Sequence, residues 1–187
     1  MSTYGRVSRT TVEDSLDDPM IEEFWDLYEI AFGPLRTRAA ARHVLYKDEF
    51  WEEMTDSRIL KYVAWSADGE PLGLTTLTNT LEAVPWISPE YFTSRYPDHA
   101  ARDALYYLGF TLVTQSARHT DAFRMMAQAM MDRLVAEQAV AFCDICSFNV
   151  SRGHARAINS IMQSHGAVEV GRLDQQNYYS ATFAGAG

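Results

Sequence analysis

The 187-residue chain has only two cysteines, no apolar run of about 18 residues or more, and fewer basic than acidic side chains. Each scarcity removes a class of protein. Two cysteines are too few for a disulfide scaffold, and with no signal-like N-terminus the chain reads as a cytoplasmic protein. Without a long apolar run there is no candidate membrane span. With 16 Lys and Arg against 25 Asp and Glu, the net charge of −9 argues against general affinity for nucleic acid or an anionic membrane, since both need a basic face. A neutral or cationic small molecule is the easier partner. The five histidines are scattered without metal-ligand spacing, so no metal site is expected. No repeat, low-complexity tract or linker divides the chain, and residues 1–187 read as one domain.

What is present is a substantial apolar stock, 47% hydrophobic and 12% aromatic, distributed with clear periodicity. Residues 1–18 are polar and expected to be loose at the start. Residues 21–32 repeat apolar side chains at helical spacing and stop at Gly33-Pro34; a second helix is expected over 38–54. Residues 59–65 and 71–77 read as two strands joined by a turn at Asp68-Gly69. Between 79 and 103, Pro85, Pro89 and Pro97 stand among Trp86, Tyr91, Phe92 and Tyr96, which predicts a long connection rather than regular structure. A strand over 104–113 then leads into a helix over 120–137 with an apolar stripe of Phe123, Met126, Met130 and Leu134. Next come a strand over 139–148, parallel to the previous one, a helix over 154–164 capped by Gly166, and a last strand over 177–183.

The junction between the 104–113 strand and the following helix is the most informative stretch. A strand running directly into a helix points several backbone N–H groups outward, where they can hold an anion. In this stretch Val113, Gln115 and Arg118 fall at the first three marked spacings of Val-x-Pro-x-x-Arg/Gln-x-x-Gly-x-Gly/Ala, while Asp121 and Phe123 stand where that pattern has small residues. The frame, together with the order of elements over about 160 residues, resembles the GCN5-related N-acetyltransferases.

The resemblance implies an α/β (α+β) fold: a mixed, mostly antiparallel sheet flanked by helices and splayed between its fourth and fifth strands. It implies acyl transfer from an acyl-CoA, acetyl or longer, to an amine on a small molecule, and it leaves a homodimer open. The backbone of Leu112, Val113 and Thr114 would pair with the pantetheine arm, and N–H groups of His119, Thr120, Asp121, Ala122 and Phe123 would face the phosphates. Arg118 would add a charge-assisted bond. Asn149 matches a position that bonds pantetheine or a water. The usual Tyr acid, four residues before the helix-ending Gly-Phe, is replaced by Met162, and Ala167 replaces the Phe.

Aminolysis of a thioester needs a base for the amine and an acid or water for the thiolate. Asp144, read as a carboxylate inside an apolar strand, His119 and Asn149 are the catalytic candidates, with His154 a further imidazole near the cleft. Trp86, Tyr91 and Phe32 are the candidates for an apolar acceptor pocket. Met125, Met126, Met130 and Met131 either fill the core or line an acyl channel. Cys143 and Cys146 are three apart on a presumed strand, so they point to opposite faces and read as core residues rather than a redox pair. Two other readings stay open: a non-catalytic binding or assembly module of the same fold, on the strength of Asp121, Phe123 and Met162, and other thioester chemistry such as decarboxylation.

Overall fold

The computed structural model describes residues 7–41, 44–118 and 120–184. Its sheet runs in the order β1 (Val7–Glu13), β2 (Leu60–Ser66), β3 (Pro71–Thr78), β4 (Leu105–Val113) and β5 (Val140–Phe142). Neighbours are antiparallel except β4 and β5, which are parallel. The β2–β3 hairpin closes at Asp68-Gly69 as expected, with Gly69 at φ +86°.

Of residues 1–18, expected to be loose at the start, 1–6 lie outside the described residues and Val7–Glu13 forms β1. Thr10, Thr11 and Val12 are β-branched, and Thr11 Oγ1 accepts a 2.7 Å bond from the Trp65 indole across the ladder. α1 (Asp18–Phe32) begins where the Asp17 carboxylate caps the Met20 N–H, and it buries Ile21, Phe24 and Tyr28. α2 spans only Lys47–Thr55, shorter than the expected 38–54. Tertiary bonds take the backbone groups that an earlier start would need: the Leu45 N–H donates to the Tyr28 hydroxyl at 3.0 Å, and the Leu45 carbonyl accepts from Arg36 at 2.8 Å.

The connection after β3 is not irregular throughout. It carries two short helices, α3 (Pro89–Arg95) and α4 (Pro97–Ala100), each opened by a proline in its first turn. α5 (Ala122–Ala136) packs on the sheet through Met126, Met130, Met131 and Leu134, so these methionines fill the core. Phe123 is not part of that stripe; it is 44% exposed, because the inward line runs through Ala122 and Met126.

β5 ends at Phe142, well short of 148, and α6 (Ser147–Ser151) follows. Beyond the Tyr107–Phe142 pair β4 offers β5 no partner, and a strand without a ladder is not held. Cys143 and Cys146 are therefore not strand residues; both are half-buried free thiols. Burial and the neighbouring Asp144 push the Cys143 thiol up to about 11, which suppresses thiolate reactivity. α7 (His154–Ser164) ends as expected: Gly166 takes φ +97° and the Ala167 N–H returns to the Met162 carbonyl at 3.0 Å. The last strand over 177–183 does not form; Tyr179 and Phe183 are 93% and 89% exposed, and their backbone meets no sheet edge.

The core lies on both faces of the sheet. On one face α1 and α2 bring Phe24, Tyr28, Phe50 and Met54 against Val63, Leu74 and Leu112. On the other α5 covers Tyr62, Leu77 and Tyr106. No helix among the described residues is long and apolar enough to cross a membrane.

Candidate active site

Two irregularities of β4 make the site. The first is a bulge. The register with β3 steps from Thr75–Thr111 to Leu77–Leu108, so Gly109 and Phe110 share the place opposite Thr76. A Cβ on Gly109 would lie 2.1 Å from the Thr76 hydroxyl, so only glycine leaves that hydroxyl its place. Thr76 in turn donates to Glu53 Oε1, on α2, at 3.3 Å. Burial raises the Glu53 carboxyl from an ordinary 4.5 to about 7; the Thr76 bond and the Lys61 charge oppose the shift without cancelling it. Lys61 is itself fully buried, donating to the carbonyls of Asp14 and Asp56 at 2.8 and 2.6 Å, and burial lowers it to about 8.

The second irregularity is the loss of the β5 neighbour. Pairing stops at Tyr107, and β4 continues to Val113 with that edge unpaired among the described residues. The Thr114 N–H points back to the Leu72 carbonyl at 3.0 Å, so the Val113 N–H and C=O face the opposite way, into the opening. An extended amide-bearing chain could add to that edge.

At the far end of β4, Thr120 accepts the Ala122 N–H at 3.2 Å and donates to the Ala117 carbonyl, which sets the start of α5. The next N–H groups, of Phe123 and Arg124, have no acceptor within the helix and bear the positive end of its dipole. Asp121 lies at this entrance, but its carboxylate is exposed and paired with Arg124 at 3.2 Å. The charge that would repel a phosphate is thus offset locally. Phe123 points to solvent and does not fill the loop. Arg118 is exposed one turn earlier.

At the mouth of the opening, the Tyr107 hydroxyl donates to Asp144 Oδ1 and accepts from the Trp86 indole N–H at 2.8 Å. Burial and the adjacent carboxylate push the Tyr107 phenol well above its usual range. Beside Trp86 runs a groove of about 310 Å³ with Glu49, Glu52, Glu53, Asp56 and Glu82 on its walls. Arg58, on the same groove, is paired with Asp56 at 2.6 Å. The balance of charge there is negative, which favours a cationic occupant.

The residues read from sequence are partly assembled here. Leu112, Val113, Thr114, Arg118, Thr120, Asp121, Ala122 and Phe123 lie together along the end of β4 and the start of α5. Asn149 is half-buried on α6, past the end of β5. Asp144 is exposed at the mouth, and it lies two residues beyond the end of β5, which corrects its placement inside the strand. Trp86 lines the groove. Tyr91 does not; its ring packs on Phe92. Phe32 stacks on Tyr28 at 4.9 Å as part of the α1 core rather than a groove wall. His119 lies outside the described residues, and His154 is exposed at the start of α7. Among the described residues no cluster of His, Cys, Asp and Glu could hold a metal.

Glu53 and Tyr107 were missed. A signal existed for Glu53: it follows Phe50 by three residues and precedes Met54, placing a carboxylate on the apolar side of an amphipathic helix. Tyr107 looks like an ordinary core aromatic in its strand.

No protein-family model matches the chain, and no curated protein does. Among solved structures, a mutant of the BH1408 protein from Bacillus halodurans is similar over 94% of this chain and 100% of its own, with 10% identity and a TM-score of 0.54. AAC(6')-Iy, in complex with the bisubstrate analog CoA-S-monomethyl-acetylneamine, matches at 13% identity over 92% of this chain and 100% of its own, with a TM-score of 0.48. The aminoglycoside acetyltransferase meta-AAC0020 from an uncultured soil metagenomic sample, in complex with sisomicin, matches at 10% identity over 92% and 97%, also with a TM-score of 0.48. At 10% identity the likeness to the BH1408 protein is one of fold.

Proposed function

We propose that this chain, which has the fold of the GCN5-related N-acetyltransferases, is an acyltransferase that moves an acyl group from an acyl-CoA to an amine of a small cationic molecule. One observation supports this above the others: β4 runs from Gly109, whose Cβ position lies 3.8 Å from Glu53 Oε1, past the end of its β5 pairing toward the start of α5, and Glu53 also lines an acidic groove.

Along that edge the Val113 amide would hold an extended pantetheine arm, and Phe123, Arg124 and Arg118 would meet its phosphates. When bound, an acyl-CoA supplies an acyl carbon activated by a thiolate leaving group. The groove's carboxylates gather a cationic amine, and Glu53, ionising near pH 7, takes the proton that keeps that amine from attacking. Met162 has no dissociable proton, so the second proton, shed by the nitrogen after attack, passes through water to the leaving thiolate.

Calorimetry with coenzyme A and acetyl-CoA tests the donor side. Saturable binding is expected, with Arg118→Ala weakening it about tenfold through loss of one charge-assisted bond. No binding by the wild type, or binding indifferent to Arg118, would defeat this placement of the donor. On the acceptor side, Trp86→Ala is expected to weaken binding of a primary amine, and unchanged affinity would remove Trp86 from the groove's function. Met162 and Asp121 favour one other reading, a binding module without turnover; thiol release from acetyl-CoA in the presence of amine separates the two.

A further inference from the structure

The Tyr107 hydroxyl joins three segments that are distant in sequence. Tyr107 makes the last ladder pair before β4 and β5 part, and its ring is buried. Its proton goes to Asp144, the second residue past β5, and a lone pair takes the indole proton of Trp86. The two rings meet edge to face, 6.2 Å apart at 70°. A phenol has one proton to give, so both partners are served by one oxygen and each fixes the other's direction. Asp144 sits on a stretch with no ladder to hold it, and it is exposed at the mouth of the opening. Trp86 walls the acidic groove.

We propose that Tyr107 is a positioning residue that aims the Asp144 carboxylate into the junction of groove and opening, where Asp144 anchors a cationic group of the acceptor. The inference rests on the acyl-transfer reading for its purpose, but its geometry can be tested without turnover. Three facts support it. The groove beside Trp86 carries more carboxylates than cations, so one more directed carboxylate adds a specific contact to a general field. The bond from the buried Tyr107 phenol to the Asp144 carboxylate is charge-assisted. The indole bond ties the groove wall to the same oxygen.

Spermidine serves as the polycationic probe, its Kd measured by calorimetry on wild type, Tyr107→Phe, Asp144→Asn and the double variant. Tyr107→Phe keeps the ring and removes only the oxygen. Each single variant is expected to weaken spermidine about tenfold, the size of one charge-assisted bond, and the double variant no more than the stronger single. Acetyl-CoA affinity should stay within about twofold, and in turnover the loss should fall on the spermidine KM rather than kcat. A merely structural tie would lower Tm and leave spermidine affinity unchanged. That result, independent losses that multiply in the double variant, or no spermidine binding by the wild type would each overturn the proposal. Spermidine binding with the expected coupling but no thiol release from acetyl-CoA would instead overturn acyl transfer and leave the anchor standing.

Discussion

Glu53→Gln is expected to lower kcat/KM for acyl transfer by about 10²- to 10⁴-fold, the usual worth of a positioned general base, with acyl-CoA affinity unchanged. The substitution keeps the shape and the Thr76 hydrogen bond and removes only the ability to take a proton. Wild-type kcat/KM should rise with pH through about 7 as Glu53 ionises, and the variant should lose that limb. Stability moves the other way. Glu53 is raised from 4.5 to about 7 because its charged form is poorly solvated, so the folded state binds the proton more tightly than the unfolded chain. That contribution is fully present below pH 4.5 and is lost as pH rises through about 7. Glutamine carries no such cost, so the variant's Tm relative to wild type should climb across that window and remain at least equal above it. An inactive variant with a Tm as high as wild type at pH 8 cannot owe its inactivity to unfolding. A variant that keeps the ascending limb would show that another group is the base.

The largest effect on stability is expected at Phe50. Its ring is fully buried and meets Trp25 at 5.6 Å, Tyr28 at 5.1 Å and Phe110 at 5.6 Å, so it joins α1, α2 and the bulged part of β4. Phe50→Ala should cost about 3–5 kcal/mol through lost transfer energy and the cavity left behind. At about 2–4 °C per kcal/mol for a chain of this size, Tm should fall by roughly 6–20 °C, readable by calorimetry or circular dichroism. Because Phe50 is one turn before Glu53, the same change should loosen the carboxylate and lower turnover at temperatures where the protein is still folded. Phe50→Leu fills most of the space and should recover much of both losses. A Tm unchanged in Phe50→Ala would mean that the aromatic cluster does not hold α2 on the sheet.

The strand-to-helix junction proposed to hold the donor was legible in the chain because it is local. The strand that ends at Val113 and the helix that starts at Ala122 are nine residues apart, and a strand-to-helix junction creates its own N–H array whatever surrounds it. Elements with strong local signals were equally plain: the Asp68-Gly69 hairpin, the Gly166 cap, and the helical periodicity of α1 and α5. Where long-range bonds outweighed local preference the reading failed. α2 starts late because Tyr28 and Arg36 hold Leu45, and β5 stops early because β4 turns away from it. The pattern at 177–183 suits a strand, but a strand exists only with a neighbour to bond.

What the sequence determined alone was therefore the β2–β3 hairpin, the helices α1, α5 and α7 and the strand that leads into α5, since each follows from spacing and turn chemistry within a few residues. What only the tertiary structure decided was the grouping of side chains on which the proposed acceptor side rests. Glu53, Thr76 and Gly109 meet through a bulge, and Trp86, Tyr107 and Asp144 meet on one oxygen. Neither set shares a periodicity, because a carboxylate acquires a pKa near 7 from the groups that fold around it and not from its neighbours in the chain.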